Sequence, residues 1–277
     1  MWKTEYLTSI DQTFDKLDEL FEDQFYKDKP KEDRRRWLTR GNSFIINKLI
    51  PSIDRGHLIM KRSEQIEKER QSIEMFRNVT YPVLNTVERD LLRRDITTMM
   101  LMQHHCVPTR LLDWSLSPYI SAYFAVSDDD DKDGEIWAFD YYRYVDSASK
   151  QWVDFPEIMN DDDKFDSDLT VAFRRNYKNR WFICQFCYEQ FPRYFNQAGA
   201  FSFFSQFGED HAPFLEHLLN GDQYYCRYEI KNYLKKEIRK ILFDKYGICK
   251  ATLFPNLYSS IEYVVKKVKS DYGIAPY

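Results

Sequence analysis

Apolar residues in "SIDQTFDKLDELFEDQF" recur at three- and four-residue spacing, with Ile10, Phe14, Leu17, Leu20, Phe21 and Phe25 along one stripe. Ser9 and Gln12 stand as a capping box at its start, so an amphipathic helix is expected there, ending ahead of Pro30. Next, "RRRWLTRGNSF" passes from charge to a short aromatic, β-compatible stretch that holds Arg40-Gly41, which predicts a strand. Residues 57–77 and 85–104 are rich in Lys, Arg, Glu, Leu and Met and predict two helices separated near Pro82. Leu92, Ile96, Met99, Met100 and Gln103 share a stripe in the second.

"VPTRLLDWS" reads as a strand begun through Pro108, and "SPYISAYFAV" as a helix with Ser117 at its N-cap and Pro118 at N1. Ile120, Ala122 and Phe124 fall on different sides of that helix, which predicts that it is covered all round. An acidic loop at 127–134 leads to the strand candidate "IWAFDYY", and 150–180 is mixed and polar. "RYFNQAGAFSFF" and "CRYEI" then read as strands, "LKKEIRKILFDKYG" as a helix, "KATLF" as a strand and "LYSSIEYVVKKV" as a closing helix. The interspersed order predicts an α+β fold, a central split or curved mixed sheet with N-terminal and flanking helices. Residues 1–30 form the N-terminal helical part and 31–277 the main domain.

The length of 277 residues favours one large domain. With 40 basic and 44 acidic residues the net charge is −4, so no global field draws the chain to nucleic acid or anionic lipid. Cysteines 106, 184, 187, 226 and 249 are odd in number and scattered, and "MWKTEYLTSIDQTFDKL" has neither a basic nor an apolar leader region. A reduced, cytoplasmic protein is the expectation, with no membrane partner, since no apolar run is long enough to span a bilayer.

Several motifs dissolve on inspection. "CQFC" is half a zinc site without a matching second half, and no metal is expected. Asp129, Asp131, Asp133 and Gly134 copy calcium-loop spacing, but Asp140 stands where a bidentate Glu is usual and the sequence beyond is strand-like. P-loop, dinucleotide-fold, nucleophile-elbow and zincin motifs are lacking. Arg34 to Arg36 read as a solvated face.

The informative stretch is "QHHCVPTRLLDWSLSPYISAYFAV", Gln103 to Val126. His104 and His105 close a helix, and neighbouring helical residues point about 100° apart, so both cannot face one site. Arg110 and Asp113 stand among apolar residues and need partners if buried, whether each other or groups across the sheet. Leu111, Leu112, Ile120 and Phe124 are the expected core of this stretch.

This stretch resembles the signature of the FRG domain, approximately Q-H-[YF]-G-x-P-T-R-L-L-D-W-[TS]-x-x-P-x-x-A-x-x-F-A. "TRGN" (Thr39 to Asn42) stands where the family has Phe-Arg-Gly, "LIPSIDR" (Leu49 to Arg55) is similar to L-x-P-S-x-x-R, and "RYFNQAGAF" to R-x-x-x-Q-x-G-x-F. The likeness runs from about residue 37 to 204, and "GICKATLFPNLYSSIEYV" is similar to the family's closing strand and helix. Thr39 replaces the name-giving Phe, and His105-Cys106 replaces an aromatic-Gly pair.

The order of parts is also similar to ADP-ribosyltransferases of the Arg-Ser-Glu type. That likeness implies NAD as substrate, transfer to a protein or nucleic-acid acceptor or to water, and a role as a toxin or phage-defence protein. Arg40, Ser115 and a carboxylate are then catalytic. Gln197 occupies the usual place of that carboxylate, leaving Asp113 and Glu229 as its alternatives. Arg40, Gly41, Gln103, His104, Thr109, Arg110, Trp114 and Arg193 are the implied ligand-binding set, with Gly41 suited to close approach of a ligand amide. A non-catalytic nucleotide- or nucleic-acid-binding module, with Arg40, Arg110 and Arg193 gripping phosphate, is the competing reading. A purely structural interaction domain is the third.

Overall fold

The computed structural model describes residues 2–22, 36–56, 61–151, 182–186 and 195–254, together with helical positions 261, 264, 265 and 268. Its strands are β1 (Thr4–Leu7), β2 (Trp37–Asn42), β3 (Leu111–Ser115), β4 (Gly134–Asp140), β5 (Phe182–Phe186), β6 (Gly199–Phe204) and β7 (Tyr225–Ile230). They form one open seven-stranded sheet in the order β1-β7-β4-β2-β3-β6-β5. It is mixed: β1 runs parallel to β7 and the other pairs are antiparallel. The helices are α1 (Ile10–Glu22), α2 (Arg62–Thr80), α3 (Thr86–Leu91), α4 (Asp95–His104), α5 (Pro118–Val126), α6 (Tyr141–Gln151), α7 (His211–Leu219), α8 (Lys235–Tyr246) and the single turn α9 (Lys250–Leu253). The expected α+β class is the one observed.

Strand alternation sorts the core into three clusters. One face of the sheet carries Leu38, Leu112, Trp114, Trp137 and Phe139 and is covered by α6 and α7. On the other face α1, α5 and α8 cover β2, β4 and β7, while α2, α3 and α4 cover β3, β5 and β6. The two helix groups therefore meet over the boundary between β2 and β3.

Helix α1 uses its expected stripe, burying Leu17 and Leu20. Its cap is shifted: the Gln12 N–H donates to Ser9 Oγ at 3.2 Å, but the Gln12 side chain accepts from the Thr8 N–H at 3.0 Å. Phe25 and Pro30 lie outside the described residues. The helix expected over 85–104 is two helices. Arg94 takes an extended backbone, and the Thr97 hydroxyl donates to the Leu91 carbonyl, closing one helix and starting the next.

"KATLF" is helical, not a strand. Thr252 Oγ1 accepts from the Cys249 N–H at 3.0 Å and fixes a turn against the local β-preference. Strands β1 and β5 and helices α6 and α7 were not anticipated by periodicity, β1 because it is four residues whose partner β7 is distant in sequence. Of the closing helix, positions 261, 264, 265 and 268 are helical and the rest lies outside the described residues.

The expected strand after the acidic loop is observed, with β4 beginning at Gly134. Basic side chains from the β7–α8 region serve the acidic loop. Lys231 Nζ reaches Asp133 at 2.7 Å, Arg239 grips Asp130, and buried Lys235 donates to the carbonyls of Ser43, Asp128 and Asp129. Among the described residues no group of three or more His, Cys, Asp or Glu is placed to hold a metal.

Candidate functional site

Strands β2 and β3 share a single register pair, Thr39 with Ser115, whereas β2 pairs with β4 along all six residues. Where β2–β3 pairing stops, the sheet opens into a cleft of about 160 Å³. Arg40, Gly41, Asp113, Trp114, Ser115 and Gln197 line it, together with Thr39, Ser121 and Phe124. Six of the residues expected to form a site thus converge at one break in the sheet.

Thr39 is the pin at the base. Fully buried, its hydroxyl lies 2.8 Å from Ser121 Oγ and 3.0 Å from the Ser115 carbonyl, so it joins β2, β3 and α5 where the family pattern has Phe. Gly41 serves a different contact from the one expected. A Cβ there would stand 1.8 Å from the Ser121 carbonyl oxygen and 2.8 Å from the Ala125 nitrogen, so its missing side chain admits α5, not a ligand amide.

Arg40 reaches across the break. Its Nη1 donates to the Asp113 carbonyl at 2.8 Å and lies 3.8 Å from Asp113 Oδ2. Burial draws the guanidinium below its ordinary range, and the nearby Asp113 carboxylate opposes that shift. Asp113, with 46% of its side chain exposed, is the one carboxylate among the described residues that line the cleft. Behind it runs a relay: Thr109 Oγ1 donates to Gln103 Oε1 at 2.7 Å, and Gln103 Nε2 donates to Asp113 Oδ2 at 2.7 Å. The Gln, Thr and Asp of the signature therefore form one device that fixes a carboxylate, with buried Thr109 and half-buried Gln103 behind the wall.

Ser115 lines the cleft, but its hydroxyl proton is committed to the Gln197 carbonyl at 2.7 Å and its oxygen accepts from the Ser117 N–H at 3.0 Å. It shapes the wall and the start of α5. Gln197 donates through Nε2 to the Leu253 carbonyl at 3.0 Å. Trp114 donates to Ser202 Oγ at 2.8 Å, which turns the indole into the core beside the cleft. Phe124, expected in the core, is half-buried and forms the cleft wall.

Other expected residues are elsewhere. Arg110 is 1% exposed and forms a two-pronged bond with Glu69 of α2, Nε to Oε1 at 2.7 Å and Nη2 to Oε2 at 2.6 Å, while stacking on Phe203 and Phe207. It braces α2 against the sheet and does not line the cleft. Its ion-pair partner is Glu69 of α2. His104 packs edge-on against His105 at the end of α4 and also does not line the cleft. Glu229 is two strands away from β2 and pairs with Arg227 at 2.9 Å, so it does not supply a carboxylate to the cleft. Arg193 lies outside the described residues, as does Cys187 of "CQFC"; Cys184 is buried in β5.

Sequence reasoning missed Thr39, Ser121 and Phe124 as cleft residues and Glu135 as a neighbour. Glu135 is fully buried and accepts from Asn42 Nδ2 and Arg227 Nε at 2.9 and 3.1 Å. The available signal was the run of small residues in α5, which lets that helix lie close to the β2–β4 pair.

Residues 35–134 match the family model of the FRG domain. The chain carries an FRG domain. The match takes in β2, β3, α5 and the relay behind Asp113, and stops as β4 begins; Gln197 and β5 to β7 lie beyond it. No curated protein and no solved structure matches the chain. Among the described residues no helix is long and apolar enough to cross a membrane.

Within this domain the departures from the signature acquire reasons. Cys106, at the signature's Gly position, has φ of 60°, a left-handed backbone that favours glycine. The fold retains that conformation without it.

Proposed function

We propose that the FRG-domain cleft binds the nicotinamide–ribose end of NAD and that the chain is an NAD-cleaving, ADP-ribosyltransferase-like enzyme. The observation that carries this reading is the meeting of Arg40 with a relay-fixed Asp113 where β2–β3 pairing stops beyond its Thr39–Ser115 pair. The volume of 160 Å³ suits a single ring, since a cavity of about 150 Å³ accommodates benzene. A dinucleotide would place its ring there and extend its phosphates outward.

In the reaction the bond between ribose C1′ and the nicotinamide nitrogen breaks and its electron pair leaves with neutral nicotinamide. Asp113 stabilises the cationic ribose carbon, a role for a carboxylate held ready by Gln103. A nucleophilic oxygen or nitrogen of water, protein or nucleic acid then bonds to C1′ and releases its proton to Asp113 or solvent. Arg40 holds the neighbouring ribose and phosphate.

The test is chromatography of NAD incubated with the purified chain, beside Asp113→Asn and Arg40→Lys. Release of nicotinamide by the native chain and its loss in folded Asp113→Asn is the expected result. A second reading, retention of a nucleotide without turnover, is favoured by the commitment of the Ser115 proton to Gln197. NAD binding without release would select it, and neither binding nor release would remove both.

A further inference from the structure

The FRG match ends at residue 134, yet the cleft is walled in part by a segment far beyond it. Gln197 lines the cleft from the turn before β6, and its Nε2 donates to the Leu253 carbonyl of α9 at 3.0 Å. Beside it, Asn196 Nδ2 donates to the Thr252 carbonyl at 2.9 Å. Phe124, the wall residue from α5, meets the Phe254 ring edge-on with 6.0 Å between centroids. Two separate parts of the wall are therefore tied to one short element, α9 and the Phe254 that follows it.

The joint that carries α9 is narrow. Gly247 ends α8 with a left-handed backbone, φ 66°, and the Gly247 and Ile248 N–H groups donate to the Phe243 and Leu242 carbonyls at 3.1 and 2.9 Å, so the chain is locked to α8 as far as Ile248. Cys249 is extended, and α9 follows as a single turn. Thr252 Oγ1 is the catch on this joint: it accepts from the Cys249 N–H and donates to the Gly247 carbonyl, both at 3.0 Å, although the residue is exposed. A lone helical turn does not hold itself, because fixing its backbone costs more than its one or two bonds return. The shape of α9 thus depends on Thr252 and on its contacts at the cleft, and an element fastened by so few contacts opens locally while the rest of the fold stays intact.

Gln197 carries the link inward. Only its amide nitrogen can face the Leu253 carbonyl, while its main-chain carbonyl accepts the Ser115 hydroxyl proton at 2.7 Å. We propose that α9 is a strap on the cleft: the closing of residues 249–254 and the ordering of the wall at Ser115, Phe124 and Gln197 are one equilibrium, which a ligand in the cleft draws toward the closed form. The strap rests on the reading of the cleft as a ligand site and makes a segment outside the FRG match the control element of that site.

Hydrogen exchange of the full chain, read by mass spectrometry, tests the coupling first without ligand, with thermal melts as the folding control. Thr252→Val removes both bonds of the catch and Asn196→Ala removes one bond of the strap; neither residue is among the described ones lining the cleft. Thr252→Val is expected to speed exchange about tenfold to a hundredfold at the Leu253 and Phe254 amides, which bond within α9 and its cap, and equally at the Leu116 and Ser117 amides, which bond to the Ala198 carbonyl and Ser115 Oγ at the wall. Asn196→Ala should give about a threefold to tenfold rise at both places, and β4 and β7 should keep their native rates. In the other direction Ser115→Ala, which cuts the bond to Gln197, should speed exchange in α9. Faster exchange confined to 249–254, unchanged exchange in Thr252→Val, or native rates in α9 of Ser115→Ala overturns the proposal. NAD is the ligand probe, and at saturation it should slow α9 exchange in the native chain; NAD that binds without slowing it also overturns the strap. Coupled exchange in the variants with neither binding nor cleavage of NAD upholds the strap and removes the NAD reading. Cleavage of NAD without coupled exchange does the reverse.

Discussion

Replacing Arg110 with Met separates the structural part of the signature from its ligand-facing part. Arg110 and Glu69 are 1% and 5% exposed at their side chains and share two bonds of 2.7 and 2.6 Å. Met preserves much of the packing against Phe203 and Phe207 but strands the Glu69 carboxylate in the interior. Breaking one side of a buried pair costs about 3–5 kcal/mol. At about 2–4 °C per kcal/mol, that lowers the melting temperature by roughly 6–20 °C. Adding Glu69→Leu should restore most of it, because the double variant leaves no buried charge. The loss also depends on pH. Burial already raises the Glu69 carboxyl above its ordinary range, with Arg110 opposing, and removing Arg110 raises it further. A carboxyl with a raised folded-state pKa takes up protons on folding, so the deficit of Arg110→Met narrows as pH falls through that pKa and widens as pH rises. Differential scanning fluorimetry across pH 5–8, with ligand titration of the folded fraction, reads both effects. An Arg110→Met protein that melts like the native chain but loses ligand would refute the reasoning and return Arg110 to the site.

Gly41→Ala forces a Cβ to within 1.8 Å of the Ser121 carbonyl, so α5 must shift; a loss of about 3 kcal/mol is expected by denaturant titration, and a neutral result would show that Gly41 does not set the α5 distance. Cys106→Gly removes an exposed side chain from a left-handed backbone, and should raise stability by about 0.5–1 kcal/mol after the extra freedom of glycine in the unfolded chain is deducted. A loss there would contradict the backbone assignment. His211, buried between Phe182 and Phe204, has its pKa pushed down to about 3 by burial, with Arg40 and Arg110 adding to the shift. The unfolded chain therefore binds the proton first, and His211 costs stability progressively as pH falls from about 6.5 toward 3. His211→Phe should flatten that acid slope, and an unchanged slope would place its origin elsewhere.

The strongly patterned segments were legible before the fold was known. Helix α1, the Ser117-capped α5 and strands β2, β3, β4 and β7 follow from periodicity, capping and aromatic content. The grouping of Arg40, Gly41, Asp113, Ser115 and Gln197 was implied by the resemblance instead, and strand pairing brings β2, β3 and the residues before β6 together at one cleft. Less legible was what each polar residue faces. Arg110 and Asp113 are three apart in one segment, yet Arg110 closes on α2 and Asp113 opens to the cleft, a division set by helices packed on the sheet. Glu229 stood out as a spare carboxylate until the strand order put β4 between it and β2. The role of Gly41 depends on the distance between β2 and α5, which local sequence does not encode, and "KATLF" turned helical through the Thr252 hydroxyl.

The central claim is that Asp113, held by Gln103 and set against Arg40, serves chemistry on a nucleotide. Quantifying nicotinamide released from NAD by the native chain, Asp113→Asn and Gln103→Leu, all checked for native melting, tests it most directly. The account predicts release by the native chain, abolition in Asp113→Asn and an intermediate rate when the relay alone is cut. No release by the native chain, or equal release by Asp113→Asn, would contradict it.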